Sequence, residues 1–357
     1  MLLFILPVLS GGGAERVTLN FLTELKKRGH SVELLVFSME GPLASSIPSD
    51  IVVHNLATGS LRHSLSGLIR AIRNLKPRIV FSTLGYVNLA LLSVRPLLPR
   101  KTKIWVREAN LPSISLRNNS FSHLMWLGYR YLYRTADVVF CTSERMRIEF
   151  FELFKLSYER LTILPNPIDI EKIRGTINEP CRTKGDGNRF ISAGRLTHQK
   201  GYDRLLEWFA ALGDPSAHLT ILGDGAEKSK LEEKSKSLGI NGQVDFRGFM
   251  EQPWPLFAGA DAYLLSSRWE GMPNGALEAL ACGSPVIATP ESGGIAEVES
   301  AAAPHAVKLA AAGKSFIEAM RAVKPRPQLI LYPSLLPQEY LLSTAVDRLE
   351  SWLHDAG

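Results

Sequence analysis

Two glutamates eight residues apart, Glu270 and Glu278, bracket a turn of glycine, proline and asparagine (Gly271-Met272-Pro273-Asn274-Gly275) that opens into a short apolar helix. Carboxylates in such a place can accept hydroxyl groups. A helix N-terminus offers free N–H groups and about half a positive charge, a seat for phosphate. Upstream, Arg195 and Lys200 stand five apart in a glycine-bracketed loop, Gly194 to Gly201, with His198 between them. Two cations beside helix amides are what a diphosphate needs, and His198 is expected to reach the same phosphate. Glu278 falls about one turn into its helix, beside a face of Leu277, Leu280 and Ala281. There it can accept both hydroxyls of a ribose, as the acidic residue of dinucleotide folds does. Glu270, in the loop before that helix, is placed to face a sugar. The chain has no Asp-x-Asp pair and no His/Asp/Glu cluster at metal spacing. Neutralising a leaving diphosphate is therefore expected of Arg195, Lys200 and the helix dipole, with no metal ion.

The elements that must hold these residues follow from the apolar pattern. Ala262–Leu265 reads as a strand feeding the Glu270 loop, and Pro285–Thr289 as the next strand, ended by a second glycine turn at Gly293-Gly294. Strand and helix alternate along most of the chain, which predicts α/β domains with doubly wound parallel sheets and ligands at the carboxyl ends of strands. Met1–Val8 is a strand buried on both faces. Gly11-Gly12-Gly13 follows it and leads into a helix over 14–28. A nicotinamide cofactor is disfavoured because G-x-G-x-x-G needs glycine at 16, where Arg16 stands. Arg107, Glu108 and Asn110 lie at the end of the strand Lys103–Arg107. His123–Arg134 reads as one long helix carrying Trp126, Tyr129, Tyr131 and Tyr133. The stiff Pro165-Asn166-Pro167 segment marks a boundary. The expected domains are 1–168 (acceptor side), 169–334 (donor side, opening on a hydrophilic link over 174–188) and a C-terminal helix within 335–357. Near the end, Ala301–Val323 reads as helical and Leu329–Tyr332 as an edge strand. Leu335–Leu353 reads as an amphipathic helix with Leu342, Val346, Leu349 and Trp352 on one face.

At 357 residues, two domains are expected, and the 45% apolar and 21% charged content is that of a globular protein. Three separated cysteines (Cys141, Cys181, Cys282) fit a reduced, cytoplasmic setting. The apolar run Met1–Leu9 is far short of the ~20 residues of a membrane span. Residues 1–168 hold 21 Lys/Arg against 11 Asp/Glu, a balance of +10, whereas 169–357 hold 20 against 24, a balance of −4. The basic half, with its aromatic-basic segment 123–134, suggests a peripheral dock on an anionic membrane surface. No nucleic-acid partner is expected.

Taken together, Gly194-Arg195-Leu196 with Lys200-Gly201, the Glu270-x7-Glu278 pair, Ser292-Gly293-Gly294-Ile295-Ala296-Glu297-Val298, Gly11–Val17 and Leu164–Asp169 resemble the motifs of retaining family-4 glycosyltransferases. The resemblance covers roughly residues 1–298. It implies the GT-B architecture, two Rossmann-like domains facing across a cleft, and a nucleotide-diphosphate sugar donor, with a UDP-sugar expected. It further implies retention of anomeric configuration and a role in polysaccharide or cell-envelope biosynthesis. By position, it implies that Arg195 and Lys200 hold the diphosphate and Glu278 the ribose. Glu270 and the backbone of Gly271, Met272, Pro273 and Asn274 would contact the donor sugar, and Gly12 and Gly13 would close over the phosphates. The acceptor is expected to be a glycan or a polyprenyl-linked glycan. Many relatives carry a histidine where this chain has Ala109, so Glu108 or Asn110 is assigned its catalytic place. Residues 299–330 depart from the family's pattern. The rival readings are a nucleotide-sugar epimerase on the same architecture and a non-catalytic nucleotide-sugar-binding module.

Overall fold

In the computed structural model, residues 1–58, 61–117, 121–181, 186–326 and 329–355 are described. The chain divides into two compact units, Met1–Pro167 with Leu342–Gly357, and Ile168–Leu341.

The first unit runs β1 (Leu2–Leu6), α1 (Gly13–Lys27), β2 (Val32–Val36), β3 (Val52–Asn55), α2 (Leu61–Leu75), β4 (Ile79–Ser82), α3 (Gly85–Ser93), β5 (Lys103–Arg107), α4 (Pro112–Arg117), α5 (Ser122–Leu127), β6 (Val138–Cys141), α6 (Glu144–Phe154) and β7 (Leu161–Ile163). All seven strands are parallel, in the order β3-β2-β1-β4-β5-β6-β7. Every residue of β1 is buried, as a strand covered by helices on both faces requires. Phe4, Phe81, Trp105 and Phe140 pack on one side of the sheet, and Tyr129, Tyr133, Phe150 and Phe154 on the other. The Ser143 hydroxyl caps α6 by accepting the Met146 N–H at 3.2 Å.

The second unit contains α7 (Ile170–Gly175), β8 (Arg189–Ala193), α8 (Tyr202–Leu212), β9 (His218–Leu222), α9 (Lys228–Ser237), β10 (Val244–Gly248), α10 (Trp254–Gly259), β11 (Ala262–Leu265), α11 (Asn274–Ala281), β12 (Val286–Ala288), α12 (Ile295–Ala301), β13 (Val307–Leu309) and α13 (Lys314–Arg321). Its six parallel strands are ordered β10-β9-β8-β11-β12-β13. The last helix, α14 (Leu342–Asp355), belongs to the first unit. Leu342, Ala345, Val346 and Leu349 enter the same core as Phe4 and Phe140. Arg28 at the end of α1 bonds Asp347 at 2.6 Å and Glu350 at 2.7 Å.

Five local expectations are corrected. Segment 123–134 is not one helix: α5 ends at Leu127, Gly128–Leu132 forms a wider turn, and Tyr133–Thr135 a tighter one. A Cβ on Gly128 would stand 2.4 Å from Leu89 Cδ2, so α3 packs directly on this backbone. The irregular turns seat both Tyr129 and Tyr133 in the core. Ala301–Val323 is not a helix either. Pro304 follows the end of α12, His305 takes a left-handed conformation (φ 70°), and Val307–Leu309 pairs with β12 before α13 begins beyond Gly313. With β13 on that edge, Leu329–Tyr332 forms no strand, and the Tyr332 carbonyl accepts from Arg174 at 3.0 Å. The C-terminal helix starts at Leu342 rather than Leu335. Pro337 interrupts the segment, and Leu335–Leu341 stays with the second unit, where the Tyr340 carbonyl accepts the Ile168 N–H at 2.8 Å. In the hydrophilic link over 174–188, Arg174 and Gly175 still belong to α7, whose N-cap is Asp169, and residues 182–185 lie outside the described residues.

Candidate functional site

In the second sheet, chain order reverses between the neighbours β8 and β11, and ligands of doubly wound sheets sit at the carboxyl ends of strands flanking such a reversal. The loops leaving those two ends are 194–201 and 266–273, and they carry Arg195, Lys200 and Glu270. They are stitched together. The Arg268 N–H donates to the Gln199 carbonyl at 2.7 Å, the Gln199 amide to the Trp269 carbonyl at 3.0 Å, and the Ser266 hydroxyl to the Lys200 carbonyl at 3.0 Å. Arg204 reaches the carbonyls of Ser266 and Ser267 at 2.9 and 2.8 Å. Gly201 is left-handed (φ 67°), and a Cβ there would lie 2.3 Å from the Ser266 carbonyl oxygen. Arg268 grips Asp203 with two bonds of 2.8 and 2.7 Å. That contact holds the Asp203 carboxyl down at about 2.

Within this frame Lys200 and Glu270 form an ion pair of 2.5 Å, with side chains 19% and 8% exposed. The Ser267 hydroxyl donates to the same Glu270 oxygen at 2.7 Å. The pair is thus mostly withdrawn from water while its partners remain fixed. Arg195 is exposed, and among the described residues no acceptor pairs with its guanidinium. The second glycine turn braces the Glu270 loop from below: the Gly294 N–H donates to the Gly271 carbonyl at 2.8 Å, and a Cβ on Gly293 would stand 2.2 Å from the Glu270 carbonyl oxygen. Gly271, Met272 and Pro273 are buried, and α11 opens at Asn274 with no side chain bonded as its cap. Glu278 is half-buried and accepts the indole N–H of Trp254 at 3.0 Å. His198 is exposed, its ring centroid 6.0 Å from that of Trp269.

The first unit presents a different arrangement. Glu108 is buried at the end of β5, where it accepts from Asn88 at 3.0 Å and from the Tyr133 hydroxyl. Burial pushes its carboxyl up to about 7, against the opposing pull of Tyr133, Asn88 and Arg107. Arg107 is wholly buried, bonded to Asn166 and to the Leu164 carbonyl, and burial lowers it to about 10. Asn110 is exposed, so the two acceptor-side candidates stand in opposite environments. Gly12 and Gly13 begin α1, and the buried Glu15 folds back over them: a Cβ on Gly12 would be 2.3 Å from its carboxylate, which also accepts the Ser10 hydroxyl at 2.9 Å.

The residues that hold the site and escape a motif-based reading are Gln199, Asp203, Arg204, Ser267, Arg268 and Trp254. Asp203 and Arg268 did carry a signal, opposite charges beside two loops bound for one sheet edge. Trp254 carried none, because its partner lies 24 residues away on another helix.

Residues 11–172 match the family described as Glycosyltransferase Family 4, and residues 174–325 the family described as Glycosyl transferases group 1. Two Rossmann-like parallel-sheet units with these matches define a glycosyltransferase of GT-B fold, and the chain belongs to family 4 of these enzymes. An uncharacterized glycosyltransferase of Methanocaldococcus jannaschii is 32% identical over 236 residues, 62% of this chain and 58% of that protein. The N-acetylgalactosamine-N,N'-diacetylbacillosaminyl-diphospho-undecaprenol 4-alpha-N-acetylgalactosaminyltransferase of Campylobacter jejuni is 28% identical, covering 81% of this chain and 80% of its own. Among solved structures, Anabaena HepE in complex with UDP-glucose superposes with a TM-score of 0.77 at 17% identity, over 99% of both chains. Among the described residues, no helix is long and apolar enough to cross a membrane.

Proposed function

We propose that the chain moves a sugar from a UDP-sugar to a hydroxyl of a glycan or polyprenyl-linked glycan, retaining the anomeric configuration and using no metal ion. The observation that carries this reading is the Lys200–Glu270 pair, braced by Ser267 at the point where strand order reverses. A diphosphate recruits Lys200, with Arg195 beside it in the same loop. Lys200 then releases Glu270, whose carboxylate is free to accept a hydroxyl of the donor sugar. Gly271, Met272, Pro273 and Asn274 line that sugar with backbone and the α11 N-terminus, where the dipole favours the phosphates. Glu278 takes the ribose. Gly12 and Gly13 close over the phosphates, and Glu108 or Asn110 serves the acceptor.

A lipid-linked acceptor is supported by the C. jejuni relative, whose name places its own acceptor on undecaprenol. A cytoplasmic enzyme docked on the inner face of a membrane follows from that acceptor and from the +10 balance of residues 1–168. Exposed Phe121, Leu124 and Tyr131 fall in the same stretch of sequence as exposed Arg117, His123 and Arg134.

A thermal-shift screen of nucleotide-sugars tests the donor, since a ligand at 100 times its dissociation constant adds about 2.7 kcal/mol of stability. No shift with any UDP-sugar removes the UDP-sugar reading. NMR of the product decides anomeric configuration, and an inverted product overturns retention. Transfer that stops with EDTA and returns with Mg²⁺ overturns the metal-free reading. Flotation with liposomes that is indifferent to anionic lipid removes the membrane dock.

A further inference from the structure

Trp254 opens α10, directly after Pro253, and is 6% exposed, packed among the apolar side chains that support α11, including Ala276, Leu277 and Leu280. A buried indole N–H usually finds a hydrogen-bond acceptor. Here the acceptor is Oε2 of Glu278, at 3.0 Å. Hydrogen bonds from a rigid ring to an ionised carboxylate are directional and strong, and the ring cannot follow the carboxylate if it turns. Four features converge on one side chain: a ring fixed by packing, a donor at fixed height, a helix fixed by its own core face, and a half-buried carboxylate. Glu278 is therefore held in one orientation before any ligand arrives.

We propose that Trp254 is the positioning residue that makes Glu278 selective for a ribonucleotide. This rests on the reading that Glu278 receives the ribose of the donor. A vicinal diol presents two O–H donors at a set spacing, and a carboxylate accepts both only when its plane is aligned with them. A carboxylate free to rotate still attracts one hydroxyl, so it binds the nucleotide without distinguishing ribose from 2'-deoxyribose. Trp254 does not touch the ligand in this scheme. It acts only through the orientation of Glu278.

Calorimetric titration of the full chain with UDP and with 2'-deoxy-UDP reads the effect as a ratio, which a partly inactive preparation does not distort. The wild type is expected to prefer UDP by about tenfold or more, the worth of one hydrogen bond to a charged group. Trp254→Phe is expected to weaken UDP several-fold while leaving 2'-deoxy-UDP nearly unchanged, so that the ratio falls toward unity. Glu278→Ala should abolish the ratio outright. An unaltered ratio in Trp254→Phe, with the ratio lost in Glu278→Ala, overturns the role of Trp254 and leaves the ribose reading standing. A ratio unaltered in Glu278→Ala, or a wild type that binds no UDP, overturns the ribose reading and this proposal with it. If Trp254→Phe does not fold, benzothienylalanine introduced at 254 keeps the bicyclic shape and removes only the N–H. The same fall in ratio is then expected, and its absence overturns the proposal.

Discussion

Glu270 and Glu108 are both buried beyond the carboxyl end of a parallel strand, Glu270 after β11 beside the order reversal and Glu108 directly after β5, one strand beyond the matching position, and they are held by opposite means. Glu270 is met by the ammonium of Lys200 and the Ser267 hydroxyl. Glu108 is met by an amide and a phenol, Asn88 and Tyr133, and burial raises its carboxyl to about 7. The loops after the first strand of each unit differ in the same sense. After β8 come Arg195 and Lys200, whereas after β1 comes a glycine run over which Glu15 folds. A carboxylate at the start of α1 already answers the helix dipole there. Both sheets reverse chain order, at β1 and β4 in the first unit and at β8 and β11 in the second, but only the loop after β8 brings the cations Arg195 and Lys200 to the reversal. Side chains, rather than topology, set the two reversals apart.

The sharpest way to break the comparison is at Lys200. Lys200→Ala is expected to lower transfer by about 10²–10³-fold, the usual effect of removing a donor that stabilises developing charge. Glu270→Gln should also lower transfer, but it should leave UDP binding equal or tighter, because the lysine no longer has a competing carboxylate. Calorimetry with UDP alone separates the two. Weaker UDP binding in Glu270→Gln would mean that the pair does not compete with the diphosphate.

Glu108 supplies the next largest effect, in stability. Its folded value of about 7 stands above the ordinary 4.5, so the fold favours the protonated form. Below about pH 4.5 both folded and unfolded chains hold the proton, and the group costs nothing extra. Between the two values the unfolded chain gives up its proton first, and stability falls as pH rises. Above about 7 the cost is complete, roughly 3 kcal/mol. Glu108→Gln keeps the size and an acceptor for Tyr133 and removes the charge. Urea unfolding of both forms should therefore show the variant gaining on the wild type from pH 4.5 to 7, and parallel curves would show that Glu108 titrates normally.

Much of this frame was legible from the residues. The continuous apolar run of β1, the glycine-bracketed basic loop and the Glu270 turn each place themselves at strand ends once the strands alternate with helices. What escaped was set by partners far along the chain. Alanine is a good helix former, so 301–323 reads as helix, and only the ladder to β12 makes Val307–Leu309 a strand. The periodicity of 123–134 is helical, but a bare Gly128 against Leu89 and two inward tyrosines break it. Glu15 looks like any acidic first-turn residue until its carboxylate is seen over Gly12. The spacing of Glu270 and Glu278 says nothing of Lys200 on one or Trp254 on the other.

The smallest effect tests whether the loops after β8 and β11 owe their geometry to charge. Asp203 and Arg268 tie the helix after the basic loop to the Glu270 loop, and the paired guanidinium holds Asp203 at about 2, below its ordinary 3.8. A depressed carboxyl stabilises the fold above the unfolded value, near pH 4, and that contribution fades as pH falls through 2. Both side chains are partly exposed, at 29% and 23%, so solvent screening reduces the pair to about 1 kcal/mol. Asp203→Asn should thus cost about that much at pH 7 and almost nothing at pH 2, read from urea midpoints at the two pH values. If the tie also positions the catalytic loops, transfer should fall by more than this loss of stability accounts for, because Arg268 sits two residues from Glu270 and also donates to the His198 carbonyl at 2.8 Å. Wild-type turnover in a variant that is measurably less stable would assign the geometry of Lys200 and Glu270 to the backbone bonds between the loops and to the Gly293-Gly294 brace instead. The contrast with the first unit would then rest on the Lys200–Glu270 pair alone.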